Sequence, residues 1–230
     1  MYYKVLFMQE TRPAADSLQD IKDIRRIMER SSRFISLSGL SGIAAGICAL
    51  AGAFIAYSLI GSADLSQVKS VGDDVVRSGH LPAGAWADIT WKLCGLALVV
   101  FIAAFASSFY LTWRKARQQG VPVWDYTSRR LAWNMLVPLI AGGIFVLGLI
   151  WYSAWVFVAP ACLVFYGLAL VNASKYTLDD IRYLGYCEIV LGLINIFFPG
   201  SGLWFWAAGF GLLHIIYGIM MWNKYDRTAG

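Results

Sequence analysis

The chain has 230 residues, of which 59% are hydrophobic and only 14% charged, with a mean hydropathy of +0.60. A soluble domain is about 45–50% apolar and about a quarter charged, and a disordered tail needs low hydrophobicity. Both classes are excluded, and a polytopic membrane protein is expected. The net charge of +5 suits nucleic acid or an anionic membrane surface, and its placement along the chain decides between them.

Taken in chain order, the N-terminus MYYKVLFMQETRP is not a signal peptide, because its apolar stretch is short and charges follow at once. Residues 1–33 read as a cytoplasmic segment. Within it, Leu18, Ile21, Ile24 and Met28 recur at helical spacing among Lys22, Arg25, Arg26 and Arg30. That pattern predicts an amphipathic helix on the inner membrane surface. Six apolar runs of roughly twenty residues then predict six spans: Phe34–Ile60, Trp91–Trp113, Leu131–Trp151, Ala154–Ser174, Leu178–Phe198 and Gly202–Trp222. Trp151, Tyr152 and Trp155 form an interfacial cluster that separates the third from the fourth. Residues 223–230 are left as a cytoplasmic tail. The expected fold is thus an all-α membrane helix bundle of three hairpins.

The first span carries small residues four apart, Ser38, Gly42 and Gly46, which favour close helix packing within the bundle. The loop 61–90 is the only long exterior segment, and its lone His80 has no ligand set around it. Gly120 suits a helix C-cap before Pro122, and Trp124, Tyr126 and Trp133 fit an inner aromatic belt. Pro138 and Pro160 fall inside spans and are expected to kink them. Asn134, Asn172, Ser174 and Lys175 gather near the inner boundary as interface anchors. Thr177 to Asp180 reads as the N-cap of the fifth span. The pentapeptide VLGLI occurs at 146–150 and again at 190–194, and Tyr-Gly recurs at 166–167 and 217–218. Both suggest related hairpins.

Charge fixes the direction. Sixteen of the nineteen Lys and Arg fall in the N-terminal segment, the second–third and fourth–fifth connections, and the tail. Only Lys69, Arg77 and Lys92 fall on the other side. By the positive-inside rule both termini are expected in the cytoplasm of a cell with a plasma (inner) membrane. The basic face would meet anionic lipid headgroups. A protein partner or homo-oligomer remains open, and nucleic acid is not expected.

Glu188 is the one acidic residue deep in a span, and Gly185, Glu188, Gly192 and Asn195 share its stripe. An ionisable group at that depth faces the bundle interior. His214 is the one histidine within a span. At 1.5 Å per residue the two lie roughly 15 Å and 18 Å from opposite faces of a core about 30 Å thick, so they are expected to meet. Tyr186, Asn195 and Tyr217 are the remaining candidates for binding a ligand or proton. The cysteines Cys48, Cys94, Cys162 and Cys187 lie in apolar runs without metal spacing. No cofactor, metal site or catalytic residue is expected, since no nucleotide-binding loop, zinc-protease helix or nucleophile elbow occurs.

The segments ERSSRFISLSGLSGI, LVNASKYTLDDIRYLGYCEI and GFGLLHIIYG resemble small bacterial six-span membrane proteins with no assigned activity. The resemblance covers most of the chain and implies no catalytic residues. The sequence reading is a non-enzymatic membrane component that binds a partner, lipid or small ligand within the bundle. Its alternative is a small proton-coupled transporter or channel using Glu188 and His214. An intramembrane enzyme ranks last.

Overall fold

A computed structural model describes residues 38–62, 87–120, 122 and 124–226. The cytoplasmic segment 1–33 with its expected amphipathic helix, most of the exterior loop with His80, and the last four residues lie outside them. The described residues form an all-α fold of six joined helical rods. The first three are α1 (Gly39–Ser62), α2 (Ala87–Gln118) and α3 (Tyr126–Trp151). A short 3₁₀ turn, Trp155–Phe157, leads into α4 (Val158–Ala173), and α5 (Ile181–Ile196) follows. The sixth rod is composite: α6 (Gly202–Trp206), a π-helical stretch Ala207–Leu213, α7 (His214–Met221) and a second π turn Trp222–Asp226.

Five of the rods are long and apolar enough to cross a membrane. The remaining one, α5, has 16 helical residues, or roughly 24 Å at 1.5 Å per residue. Large apolar side chains stand exposed along the outer rods, among them Phe101 and Phe105 on α2 and Ile144 and Leu147 on α3. In lipid such a surface is solvated rather than stranded.

Local chemistry explains where the rods stop. Gly120 adopts φ +66°, the left-handed conformation that a C-terminal cap requires, directly after α2. The Asp125 carboxylate accepts from the Ser128 amide at 2.7 Å while the Ser128 hydroxyl accepts from the Asp125 amide at 2.8 Å, a reciprocal box that opens α3. Trp151 ends α3, and Ser153 reverses the chain at φ 57°.

Two expectations change. Pro138 lies inside α3 as anticipated, but Pro160 is the third residue of α4. Amides of a first turn have no partner within the helix, so Pro160 removes no helical hydrogen bond there. At the fifth rod, the helix begins at Ile181 after a turn, and Asp180 occupies the cap position without a side-chain cap bond. Its carboxylate instead accepts from Lys224 Nζ and from the Tyr225 hydroxyl, each at 2.8 Å, tying the end of the sixth rod to the start of α5.

Packing follows glycine. A Cβ placed on Gly167 of α4 would sit 2.6 Å from the Gly185 carbonyl of α5, and one on Gly185 would sit 2.8 Å from the Gly167 carbonyl. Gly192 meets Pro160, Leu163 and Val164 further along, so the two helices run antiparallel in backbone contact. A second seam joins α1 to the sixth rod. A Cβ on Gly46 would sit 2.7 Å from the Gly211 carbonyl, and one on Gly218 would sit 2.7 Å from the Ile43 amide and 2.8 Å from the Gly39 carbonyl. The small-residue stripe of the first span therefore packs within the bundle. The rods α2 and α3 attach outside these seams, on α1 and α4 respectively, and Ser108 Oγ donates to the Ser41 carbonyl at 3.0 Å across the first contact.

The sequence repeat is only partly matched in structure. Gly167 and Gly218 both sit in tight seams, but Gly192 is packed against α4 while Gly148, its counterpart in the repeated pentapeptide, faces open space. The four cysteines are free.

Because the atoms that would meet a new methyl at Gly167 or Gly218 are backbone, they cannot swing aside. Gly167→Ala and Gly218→Ala are each expected to lower stability by about 1–3 kcal/mol, the usual range for overpacking. Gly143→Ala, which meets nothing within 4 Å, should cause no loss. Thermal unfolding in detergent distinguishes the two groups.

Candidate functional site

The side chains of Glu188 and His214 meet in the middle of the bundle. Glu188 projects from α5, whose Gly185 and Gly192 draw it against α4, and it is completely buried. His214 opens α7 on the sixth rod and is buried as well. Glu188 Oε1 lies 3.4 Å from His214 Nδ1. Neither carboxyl oxygen has a hydrogen-bond partner of ordinary geometry among the described residues. The pair is thus a close electrostatic contact slightly longer than a hydrogen bond.

Three further groups complete the site. His214 Nδ1 lies 3.0 Å from the Gly209 carbonyl, and His214 Nε2 lies 2.8 Å from the Tyr166 hydroxyl of α4. Gly209 is in contact with the carboxyl: a Cβ there would stand 2.5 Å from Glu188 Oε2 and from Leu163 Cδ2. The rings of Tyr166 and Phe210 flank the imidazole, at centroid distances of 5.4 Å and 6.0 Å. Trp206 packs on Phe210 in turn.

The π-helical stretch makes this arrangement. A π turn sets five residues rather than four between bonded groups, and such turns cluster at functional positions. His214 is five residues beyond Gly209, with its backbone amide bonded to the Gly211 carbonyl. The Gly209 carbonyl is thereby left facing the imidazole. A carbonyl only accepts, so Nδ1 carries a hydrogen. On the other nitrogen, the Tyr166 hydroxyl donates to a neutral imidazole or accepts from an imidazolium. One set of heavy-atom positions therefore serves both protonation states of His214. The imidazole therefore gains its second proton at Nε2, on the Tyr166 side, while Nδ1 keeps its hydrogen toward Gly209 and Glu188.

The other expected residues lie elsewhere. Asn195 is buried two turns along α5 from Glu188, with Nδ2 donating to the Phe198 carbonyl at 3.4 Å and Oδ1 unpartnered among the described residues. Tyr186 is 47% exposed on the outside of the bundle. Tyr217 stands beside Cys187. Sequence reasoning missed Tyr166 and Gly209 as members of the site. The Tyr166-Gly167 pair stood out only as a repeat, and Gly209 is out of phase with His214 on a regular α-helix.

Among the described residues no group of three His, Cys, Asp or Glu side chains is placed to hold a metal ion. An apolar crevice of about 370 Å³ opens between α1 and α6, lined by Leu50, Ala53, Phe54, Tyr57, Leu203 and Trp204, with Ala207 at its end. Comparison with known proteins finds no matching family model, no similar curated protein and no similar solved structure. The fold and the exposed apolar rods define a small polytopic helical membrane protein in contact with lipid. Its distinguishing feature is a buried carboxyl–imidazole pair.

Protein labelled with ¹⁵N in its histidine rings, on a His80→Gln background, reports His214 alone, since the chain has two histidines. Tyr166→Phe is expected to shift the Nε2 resonance and leave Nδ1 nearly in place, whereas Glu188→Gln shifts Nδ1. The lost Tyr166 hydrogen bond should also lower stability by about 0.5–1.5 kcal/mol.

Proposed function

We propose that the protein is a small proton-coupled transporter or channel in which Glu188 and His214 bind the coupling proton. One observation carries this reading: a fully buried carboxyl oxygen 3.4 Å from a buried imidazole nitrogen, between α5 and the sixth rod. Ionisable groups inside membrane helices are expensive and mark ion pathways and proton relays. A pin between helices needs no group that changes charge, and a hydrogen-bonded amide would serve it equally well. Here the hydroxyl of Tyr166 suits the imidazole in either state, which favours a site that loads and unloads a proton. Asn195, with its buried and unpartnered oxygen on the same helix, is a second polar station along α5. The protein acts without covalent catalysis in this reading.

The proposed setting follows from the loops. The chain crosses the plasma membrane of a bacterium six times, with α5 extended by its flanking turns to complete the sixth crossing. Both termini face the cytoplasm, where sixteen of nineteen cations lie. Anionic headgroups gather on that face. A second reading, binding of a lipid or small apolar ligand, is favoured by the crevice between α1 and α6, whose walls are almost wholly apolar.

The test is proton flux in proteoliposomes carrying a pH-sensitive dye, driven by an imposed potassium diffusion potential. Wild-type protein is expected to move protons, and Glu188→Gln and His214→Gln to lower the rate at least tenfold while eluting as monodisperse, folded protein. Equal flux in wild type and Glu188→Gln would overturn the proposal. So would the absence of flux in wild-type vesicles across both polarities of potential.

A further inference from the structure

A second polar cluster lies where α3 begins and α4 ends, away from the Glu188–His214 pair. The Arg130 guanidinium sits over the Tyr126 ring at 5.2 Å and the Tyr176 ring at 5.7 Å, so one tyrosine of α3 and one in the 3₁₀ turn Ser174–Tyr176 just past α4 flank it. An asparagine ladder links the rods beside it. Asn134 Nδ2 donates to the Arg130 carbonyl at 2.8 Å, and Asn172 Nδ2 donates to the Asn134 carbonyl at 2.7 Å. That orientation turns Asn172 Oδ1 toward Lys175, whose Nζ donates to it at 3.3 Å. Both cations are exposed, and neither forms an ion pair among the described residues. The neighbouring carboxylates Asp125 and Asp180 are engaged elsewhere, in the α3 cap and with Lys224. Two positioned cations without carboxylate partners among the described residues are complementary to a phosphate.

The surface next to this cluster identifies what carries the phosphate. Trp133 and Val137, one and two turns along α3, are 69% and 56% exposed. Together they form an apolar track running from the cationic end toward the middle of the membrane. A small anion uses the cations alone, whereas a phospholipid fills both parts. Basic positions between membrane helices at the cytoplasmic boundary are suited to such headgroups.

We infer that the inner ends of α3 and α4 form a site for one anionic phospholipid, its phosphate held by Arg130 and Lys175 and its acyl chain lying along Trp133 and Val137. The tyrosine pair and the asparagine ladder fix the two cations before the lipid arrives, which limits the ordering cost of binding. The site is separate from the proton-binding pair, and its presence does not depend on proton transport.

The test is lipid retention by the full chain in detergent, read by native mass spectrometry with phosphatidylglycerol or phosphatidylcholine supplied at equal concentration. Wild-type protein is expected to retain phosphatidylglycerol at least fivefold better. Arg130→Gln with Lys175→Gln should reduce that retention to the phosphatidylcholine level, and each single change should lower it at least twofold if the double variant does not fold. Arg114→Gln with Arg117→Gln removes the same charge from the end of α2 and should leave retention unchanged. Equal loss in the two double variants would show diffuse attraction and overturn the site. Displacement of the lipid by millimolar inorganic phosphate would reassign it to a small anion and overturn the lipid inference.

Discussion

Helices in lipid gain little from burying apolar surface against one another, because the surrounding tails are equally apolar. Association depends on how closely their backbones approach. In this protein glycine sets that approach at two seams, Gly167 with Gly185 between α4 and α5, and Gly42, Gly46 and Gly218 between α1 and the sixth rod. The geometry of the Glu188–His214 pair hangs on them. The first seam holds Glu188 and Tyr166 at neighbouring levels of two helices. The second holds the rod that carries His214. Gly209 then allows the carboxyl to lie directly against the backbone of that rod. Larger residues at these positions would widen the bundle, and a gap around a carboxyl in a low-dielectric interior is filled by solvent or left at high cost.

The pair itself shows how an irregular helix is put to use. A regular α-helix spends each interior carbonyl on the amide four residues ahead. The π stretch at Ala207–Leu213 departs from that register, and Gly209 gains a side-chain donor in His214 Nδ1. The imidazole is then held from both nitrogens, by a pure acceptor on one side and a hydroxyl on the other. Its orientation is fixed while its charge is not. The surroundings thus hold the ring in position whichever protonation state it carries.

Much of the architecture was legible in the sequence because membrane spans announce themselves by composition alone. Hydropathy marks the rods, Gly120 and the Trp151–Trp155 cluster mark the stops, and depth counting from opposite faces brings Glu188 and His214 to one level. That count works because rise per residue is nearly constant whatever the side chains. It fails where local register changes. The π turn has no composition that distinguishes AAGFGLL from an ordinary apolar helix, so the approach of Gly209 to the imidazole was hidden. Tyr166 was hidden for a different reason. It comes from a rod whose rotational setting depends on the Gly167–Gly185 contact, and helical periodicity gives the faces of a helix without saying which neighbour each face meets. Pro160 was misjudged through a boundary: placing the helix start four residues early put the proline in an interior turn. The repeated pentapeptide is a weaker guide, because apolar residues recur cheaply in membrane spans and the two copies place their glycines in unlike surroundings.

The rod α4 joins the two polar clusters. It carries Tyr166 toward His214 at one level and, six residues further on, Asn172 toward Lys175 and α3. Six residues of helix span roughly 9 Å, and this stretch is pinned along one side by the close contact with α5. A rigid element held on two sides moves as a unit. The placement of α4 therefore enters both the Tyr166–His214 contact and the contacts of Asn172 with α3 and Lys175. The Lys224–Asp180–Tyr225 contacts constrain the sixth rod at the same end of the bundle. Between that anchor and α6 runs the π stretch, whose Gly211 carbonyl packs against Gly46 of α1. Its hydrogen bonding is already irregular, and it lies directly beneath the carboxyl. Gly209 belongs to this segment, and its lack of a Cβ is what leaves room for Glu188 Oε2 against the rod.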